Sequence, residues 1–236
     1  MFEKLDKKIV CGSKFNVTIE KVLRQNTNTI ISFVNPFSYM EVAKEKSLVD
    51  SVDYFFSDGA LLCKLHSLFH KKIERASFDF SSIADYFLTL LETNNISIAM
   101  IGAQQQEIEV AVQNLTMMYP KLNVSFYRNG YIDDVEGVVE TLNNINPKVV
   151  LLGMGTPYQE RMALILKKEL LNTNLIITCG GFLTQTSIKA DYYNPIVKKL
   201  GVRWLQRIVM HKHVRNRVIK DYPKFLISYL FCKDKS

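Results

Sequence analysis

Short apolar runs rich in β-branched residues, ending in Gly, Asn or Asp and passing straight into a helical pattern, recur along most of this 236-residue chain. The runs fall at 29–34, 52–56, 96–101, 122–127, 148–152 and 175–179. They are too short for helices and largely lack polar alternation, so they read as strands buried on both faces. Helical spacing fills 37–48, 60–69, 83–93, 105–118, 134–145 and 158–171, with Ser81 and Ser82 able to cap the third of these. Strand and helix alternating six times over short connections predicts an α/β fold: a Rossmann-like, mostly parallel sheet with helices on both faces. Ahead of this series, 8–15 reads as a short strand or hairpin arm and 18–25 as a short helix. From about Tyr192 the pattern turns helical only, aromatic and basic. The expected division is an α/β domain over 1–195 and a basic helical C-terminal appendage over 196–236.

The most informative stretch is Lys148 to Arg161. Val149–Leu152 is a buried strand by composition, and Gly153 and Gly155 allow a sharp turn and a close approach. Pro157 suits the first position of a helix, and Met162, Ile165, Leu166 and Leu170 follow at helical spacing. Such a turn presents free N–H groups at the C-terminal edge of a sheet, where α/β proteins bind ligands and where phosphate is favoured. Tyr158, Gln159 and Glu160 are expected as polar groups at that mouth. An ordinary βα turn would also use glycines here, and spacing alone leaves both readings open.

Other strand ends offer Asn35, Asp58-Gly59, Gly102 and Arg128–Tyr131 to the same edge. Asp58 stands between a buried strand and a glycine-started helix. It could take a proton from a hydroxyl nucleophile as a general base, or simply cap the helix; the spacing does not choose. His66 and His70 lie four apart on one helix, but no third ligand is near in sequence, and packing or surface roles are favoured over a metal. The glycine turn lacks the third glycine of a dinucleotide fingerprint, and no phosphate-binding loop of the GxxxxGK[ST] type occurs.

The net charge of +7 is uneven. From Lys198 onward, eleven Lys and Arg face only Asp221 and Asp234, whereas the rest of the chain is slightly acidic. Such a segment seeks phosphates, nucleic acid or an acidic membrane. Its apolar residues, among them Trp204, Leu205, Ile208, Phe225, Ile227, Tyr229, Leu230 and Phe231, could lie on an anionic bilayer or pack on the α/β core. Cys11, Cys63, Cys179 and Cys232 form no CxxC pair and read as reduced thiols of a cytoplasmic protein. The charged N-terminus reads as no signal peptide, and no apolar run approaches the ~18 residues of a membrane span.

From about Ile30 to Phe225 the chain resembles the WecG/TagA/CpsF glycosyltransferases. The resemblance rests on Asn35, on Asp58-Gly59 opening a helix, and on Arg128-Asn-Gly-Tyr131. It rests above all on Leu152-Gly-Met-Gly-Thr-Pro-Tyr-Gln-Glu160, which looks like the family's G-x-G-x-P-x-Q-E turn. Gly180-Gly181-Phe182 and Gly201–Arg207 are similar to two C-terminal blocks. The resemblance implies an inverting, metal-independent transferase with no cofactor. It would move a sugar, of N-acetylmannosamine type or related, from a UDP-sugar to a polyprenyl-diphosphate-linked sugar. Such an enzyme sits in the cytoplasm, peripherally on the inner face of the membrane.

By the same resemblance Asp58 is the catalytic base, and Asn35 and Gln159 belong to the substrate pocket. The remaining candidates for substrate binding are Gly59, Gly102, Tyr131, Gly153, Gly155 and Pro157, with Arg207, Arg215 and Arg217 as arginines brought by the appendage. An anionic membrane surface is an expected partner, nucleic acid is not, and self-association into a homo-oligomer is left open. The chain departs from the pattern at Phe33, where Thr is common, at Leu183-Thr184-Gln185 in place of Phe-Asp, and at Arg203 in place of Glu. These departures bear on the donor sugar. Two alternatives are a nucleic-acid-binding α/β protein using the basic tail, and another nucleotide-dependent α/β transferase, such as a methyltransferase built on Gly153-Met-Gly155.

Overall fold

The computed structural model describes residues 2–25, 27–188 and 212–231, the last with side chains from 219 onward. Seven strands form one sheet in the order β1-β3-β2-β7-β6-β4-β5. They are β1 Ile9–Val10, β2 Thr29–Val34, β3 Tyr54–Ser57, β4 Ile98–Gly102, β5 Val124–Arg128, β6 Val149–Gly153 and β7 Leu175–Thr178. Every pairing is parallel, a stricter outcome than the mostly parallel sheet expected. Residues 8–15 make no hairpin. Ile9 and Val10 pair in parallel with Phe55 and Phe56 at the sheet edge, after a first helix α1, Phe2–Lys8.

Successive strand residues enter opposite cores, which is why these runs carry no polar alternation. Val150, Leu152, Ile30 and Ile176 join one apolar cluster, and Val149, Leu151, Ile31 and Ile177 join the other. The first face is covered by α1, α3 Pro36–Lys44, α4 Lys46–Ser51, α5 Ala60–Phe69, α8 Val135–Ile145 and α9 Tyr158–Glu169. The second is covered by α2 Phe15–Arg24, α6 Ala84–Thr93, α7 Gln105–Met118 and α10 Phe182–Ile188. The helix expected over 37–48 is two, because Glu45 adopts extended backbone between them.

Neighbouring strands β2 and β7 send their helices to opposite faces: α3 packs on the first and α10 on the second. That divergence opens a crevice at the C-terminal edge, the position where open α/β sheets bind ligands.

The boundary expected near 196 lies outside the described residues, as do Trp204, Arg207 and the side chains of Arg215 and Arg217. Helix α11, Lys212–Phe231, is described, and it rests on α3. Phe225 and Tyr229 are fully buried there, with ring centroids 5.5 and 5.6 Å from that of Tyr39. These two aromatics therefore serve the core, whereas Ile227, Leu230 and Phe231 remain exposed. Tyr39 and Tyr229 both donate to Asp6 Oδ1, at 3.0 and 3.1 Å, and His70 Nε2 lies 3.0 Å from Asp6 Oδ2. One buried carboxyl thus ties α1, α3, α5 and α11 together. His66 is buried beside it, its ring nitrogens against the carbonyls of Lys71 and Asp6, in keeping with a packing role.

Candidate active site

A cavity of about 1120 Å³ occupies the C-terminal edge of the sheet, and Asn35, Asp58, Tyr131, Gly153, Gly155 and Gln159 all line it. Gly59, Gly102 and Pro157, also expected there, are not among its lining residues. Gly102 is required by backbone packing: a Cβ there would lie 2.5 Å from Gly153 O. The β4 and β6 turns touch through it, so its small size serves the wall more than a ligand. Gly155 has φ +76° and nothing within 4 Å of a built Cβ, so its backbone is open to the cavity. Pro157 occupies the cap position of α9, one residue earlier than expected.

Asp58 does not cap α5. Gly59 is the capping residue, and having no side chain it makes no side-chain cap bond to that helix start. The Asp58 N–H instead donates to Val34 O at 2.8 Å, extending the pairing of β2 and β3 past its last strand residue. Its Oδ1 accepts from Arg75 Nη2 at 2.9 Å, and the same nitrogen reaches Asp79 Oδ2 at 3.1 Å. Burial opposes the charge on Arg75, but the carboxylates of Asp58 and Asp79 outweigh it, so the guanidinium is held more firmly protonated than usual. Asp79 also accepts from the backbone and hydroxyl of Ser81, which fixes the approach to α6. Sequence reasoning gave Arg75 and Asp79 no role. Their signal was two opposite charges four apart in an irregular segment with apolar Ile73, Ala76 and Phe78.

Asn35 Oδ1 accepts from the N–H groups of Phe37 and Ser38, and Ser38 Oγ accepts from Asn35 N. This capping box fixes the start of α3 and holds Asn35 at the cavity wall. On the far side, Tyr131 is 70% exposed, and its N–H is held by Asn129 Oδ1 at 2.9 Å. Asn129 Nδ2 reaches Gln105 Oε1 at 2.9 Å, which joins the β5 turn to the start of α7.

Of the polar groups expected at the mouth, Gln159 lines the cavity although little of it is exposed, whereas Glu160 lies buried and outside the lining. Gln159 is 3% exposed; its Nε2 donates to Glu160 Oε1 at 2.9 Å and its Oε1 accepts from Gly180 N at 3.2 Å. The carboxamide pins the β6 turn to the β7 turn. Glu160 is fully buried, and its Oε1 also accepts from Ser32 Oγ at 2.9 Å and Thr156 Oγ1 at 3.1 Å. Thr178 Oγ1 in turn donates to Ser32 Oγ. Burial pushes the Glu160 carboxyl above the usual range, while its bonds from Gln159, Ser32 and Thr156 pull the other way. Of the three residues only Tyr158 is open to solvent. Among the described residues no group of three His, Cys, Asp or Glu side chains is placed to hold a metal.

The glycosyl transferase WecG/TagA/CpsF family model matches residues 9–235, nearly the whole chain. The chain belongs to this family. The glycosyltransferase is 41% identical over 204 residues to a UDP-Gal:alpha-D-GlcNAc-diphosphoundecaprenol beta-1,4-galactosyltransferase of Shigella boydii, covering 85% of each chain. It is also similar to two enzymes named N-acetylglucosaminyldiphosphoundecaprenol N-acetyl-beta-D-mannosaminyltransferase. The Bacillus subtilis enzyme is 24% identical over 214 residues, 87% of this chain and 80% of that one. The Staphylococcus aureus enzyme is 27% identical over 191 residues, 80% and 73% respectively. Among the described residues no helix of the glycosyltransferase is long and apolar enough to cross a membrane.

Proposed function

We propose that this glycosyltransferase moves a hexose of galactose type from a UDP-sugar to a sugar carried on a polyprenyl diphosphate, inverting the anomeric centre. The observation that carries this reading is Asp58, held by Arg75 at the wall of a cavity over the diverging β2 and β7 turns. Among the sugars of N-acetylmannosamine type or related expected from sequence, the galactose type is chosen on the strength of the 41% identity to a galactosyltransferase against 24–27% to the mannosaminyltransferases.

In this reading Asp58 Oδ1 stays on Arg75 and Oδ2 takes the proton of the acceptor hydroxyl. The oxygen attacks the donor's anomeric carbon from the side opposite UDP, and UDP leaves as the new bond forms. The uracil stacks on the exposed ring of Tyr131, as bases do on aromatic platforms. Charge developing on the diphosphate is met by N–H groups of the Gly153–Thr156 turn and by appendage arginines, with Arg207, Arg215 and Arg217 as candidates. No metal is required. The basic tail holds the enzyme on the inner face of an anionic membrane, where the acceptor resides. Methyl transfer and nucleic-acid binding leave Asp58 and Arg75 without a role.

The test is a transfer assay with UDP-galactose and a short-chain N-acetylglucosaminyl-diphospho-lipid, followed by mass spectrometry. A product heavier by one hexose supports the reading. No transfer from UDP-galactose or any other UDP-sugar overturns it.

A further inference from the structure

The donor reading above leaves open what selects the sugar, and the strand order locates the answer. Asp58 directly follows β3, and Tyr131 follows β5 beside the start of α7. Between β3 and β4 the sheet places β2, β7 and β6, so four strand spacings, roughly 19 Å, separate the base from the near edge of the nucleoside end. A donor with its uracil at Tyr131 and its anomeric carbon near Asp58 must lay its diphosphate over the β6 turn and its sugar over the ends of β2 and β7.

The side chain built into the cavity wall at that point is Phe33, one residue before the end of β2. Its ring is 9% exposed and cannot swing aside. It stacks on Phe56 at 5.9 Å, meets Phe78 edge-on at 6.0 Å and lies 6.2 Å from Phe15. Its neighbours along and across the strands, Ser32 and Thr178, turn to the opposite face of the sheet and are bonded into the Glu160 network there. An acetamido group placed against this ring would meet aromatic carbon there, from Phe33 and the Phe56 and Phe78 rings packed on it, and an amide pressed on carbon without partners is disfavoured. A hydroxyl is smaller and can turn toward the open cavity.

We propose that Phe33 determines donor specificity, admitting UDP-hexoses and rejecting UDP-N-acetylhexosamines. The inference rests on the proposed function. Its test uses the full chain and reads a ratio within each variant, so a loss of folded enzyme cancels. The ratio is kcat/KM for UDP-galactose over that for UDP-N-acetylglucosamine and UDP-N-acetylmannosamine, each with the same lipid acceptor. The wild type should favour the hexose by about a hundredfold or more, the scale on which a built site rejects a misfitting group. Phe33→Thr should lower that ratio at least about tenfold, through gain on an N-acetylated donor. If Phe33→Thr does not fold, Phe33→Leu, which shortens the plug but keeps it apolar, should still lower it about threefold. An unchanged ratio in a folded variant overturns the role of Phe33, as does a wild type that prefers an N-acetylated donor. Absence of transfer from every UDP-sugar by the wild type defeats the underlying function instead.

Discussion

Arg75 Nη2 lies 2.9 Å from Asp58 Oδ1 and 3.1 Å from Asp79 Oδ2, so one guanidinium nitrogen bridges two carboxylates at the cavity wall. Asp79 anchors the arginine, and the arginine orients the aspartate that faces the cavity. We expect Arg75→Lys, a point charge in place of a planar fork, to lower kcat on the order of tenfold. KM for UDP-galactose should change little. Steady-state kinetics check this; a change confined to KM would place Arg75 on the donor instead of on Asp58.

The buried carboxyl of Glu160 gives a pH prediction. Its pKa is raised in the folded protein, so the native state binds its proton more tightly than the unfolded chain does. The favourable contribution is complete below the ordinary carboxylate pKa and is lost as pH rises through the folded value. Glu160→Gln cannot titrate. The stability of wild type relative to Glu160→Gln should therefore be greatest at low pH and decline as pH rises. Urea unfolding of both proteins across pH 4 to 8 checks the slope.

The seating of α11 has separable parts. Tyr229→Phe removes one donor to Asp6 and keeps the ring, and should cost about 1–3 kcal/mol. Phe225→Ala empties a fully buried site against Tyr39 and should cost about 3–5 kcal/mol, if α11 unfolds with the rest of the chain. If α11 detaches by itself, global stability will change less and proteolysis will cut first near its start. Denaturant melts with limited proteolysis distinguish the two.

Transfer activity should survive EDTA. Asp58 and Asp79, the carboxylates beside the proposed site of chemistry, are joined to each other through Arg75, which repels a divalent cation. A complete loss with chelator, restored by Mg²⁺ or Mn²⁺, would count against the charge-stabilisation scheme.

Much of this arrangement could be read from the residues. Strand 29–34 and helices 60–69 and 105–118 fall where their apolar spacing puts them, because both faces of the sheet are covered and the runs stay apolar. The two-residue β1 was not legible as a parallel strand, since its partner Phe55-Phe56 lies far along the chain. Asp6 gave no sign of burial for the same reason: its partners are 33, 64 and 223 residues away. Asp58 is favoured as a cap by local preference, and only the tertiary contact with Arg75 shows it doing something else. Gln159 and Glu160 are adjacent in sequence, yet a helix turns by about 100° per residue. One therefore reaches the Gly180 turn at the cavity while the other is driven beneath the sheet edge to Ser32.

The central claim is that Asp58 is the base for glycosyl transfer, and Asp58→Asn tests it most directly. The variant keeps an oxygen for Arg75 but cannot accept the proton. Its UDP affinity by calorimetry should stay within about threefold of wild type, while single-turnover transfer from UDP-galactose to the lipid-linked acceptor should fall on the order of a hundredfold or more. Near-normal turnover in a variant that folds and binds UDP would contradict the account.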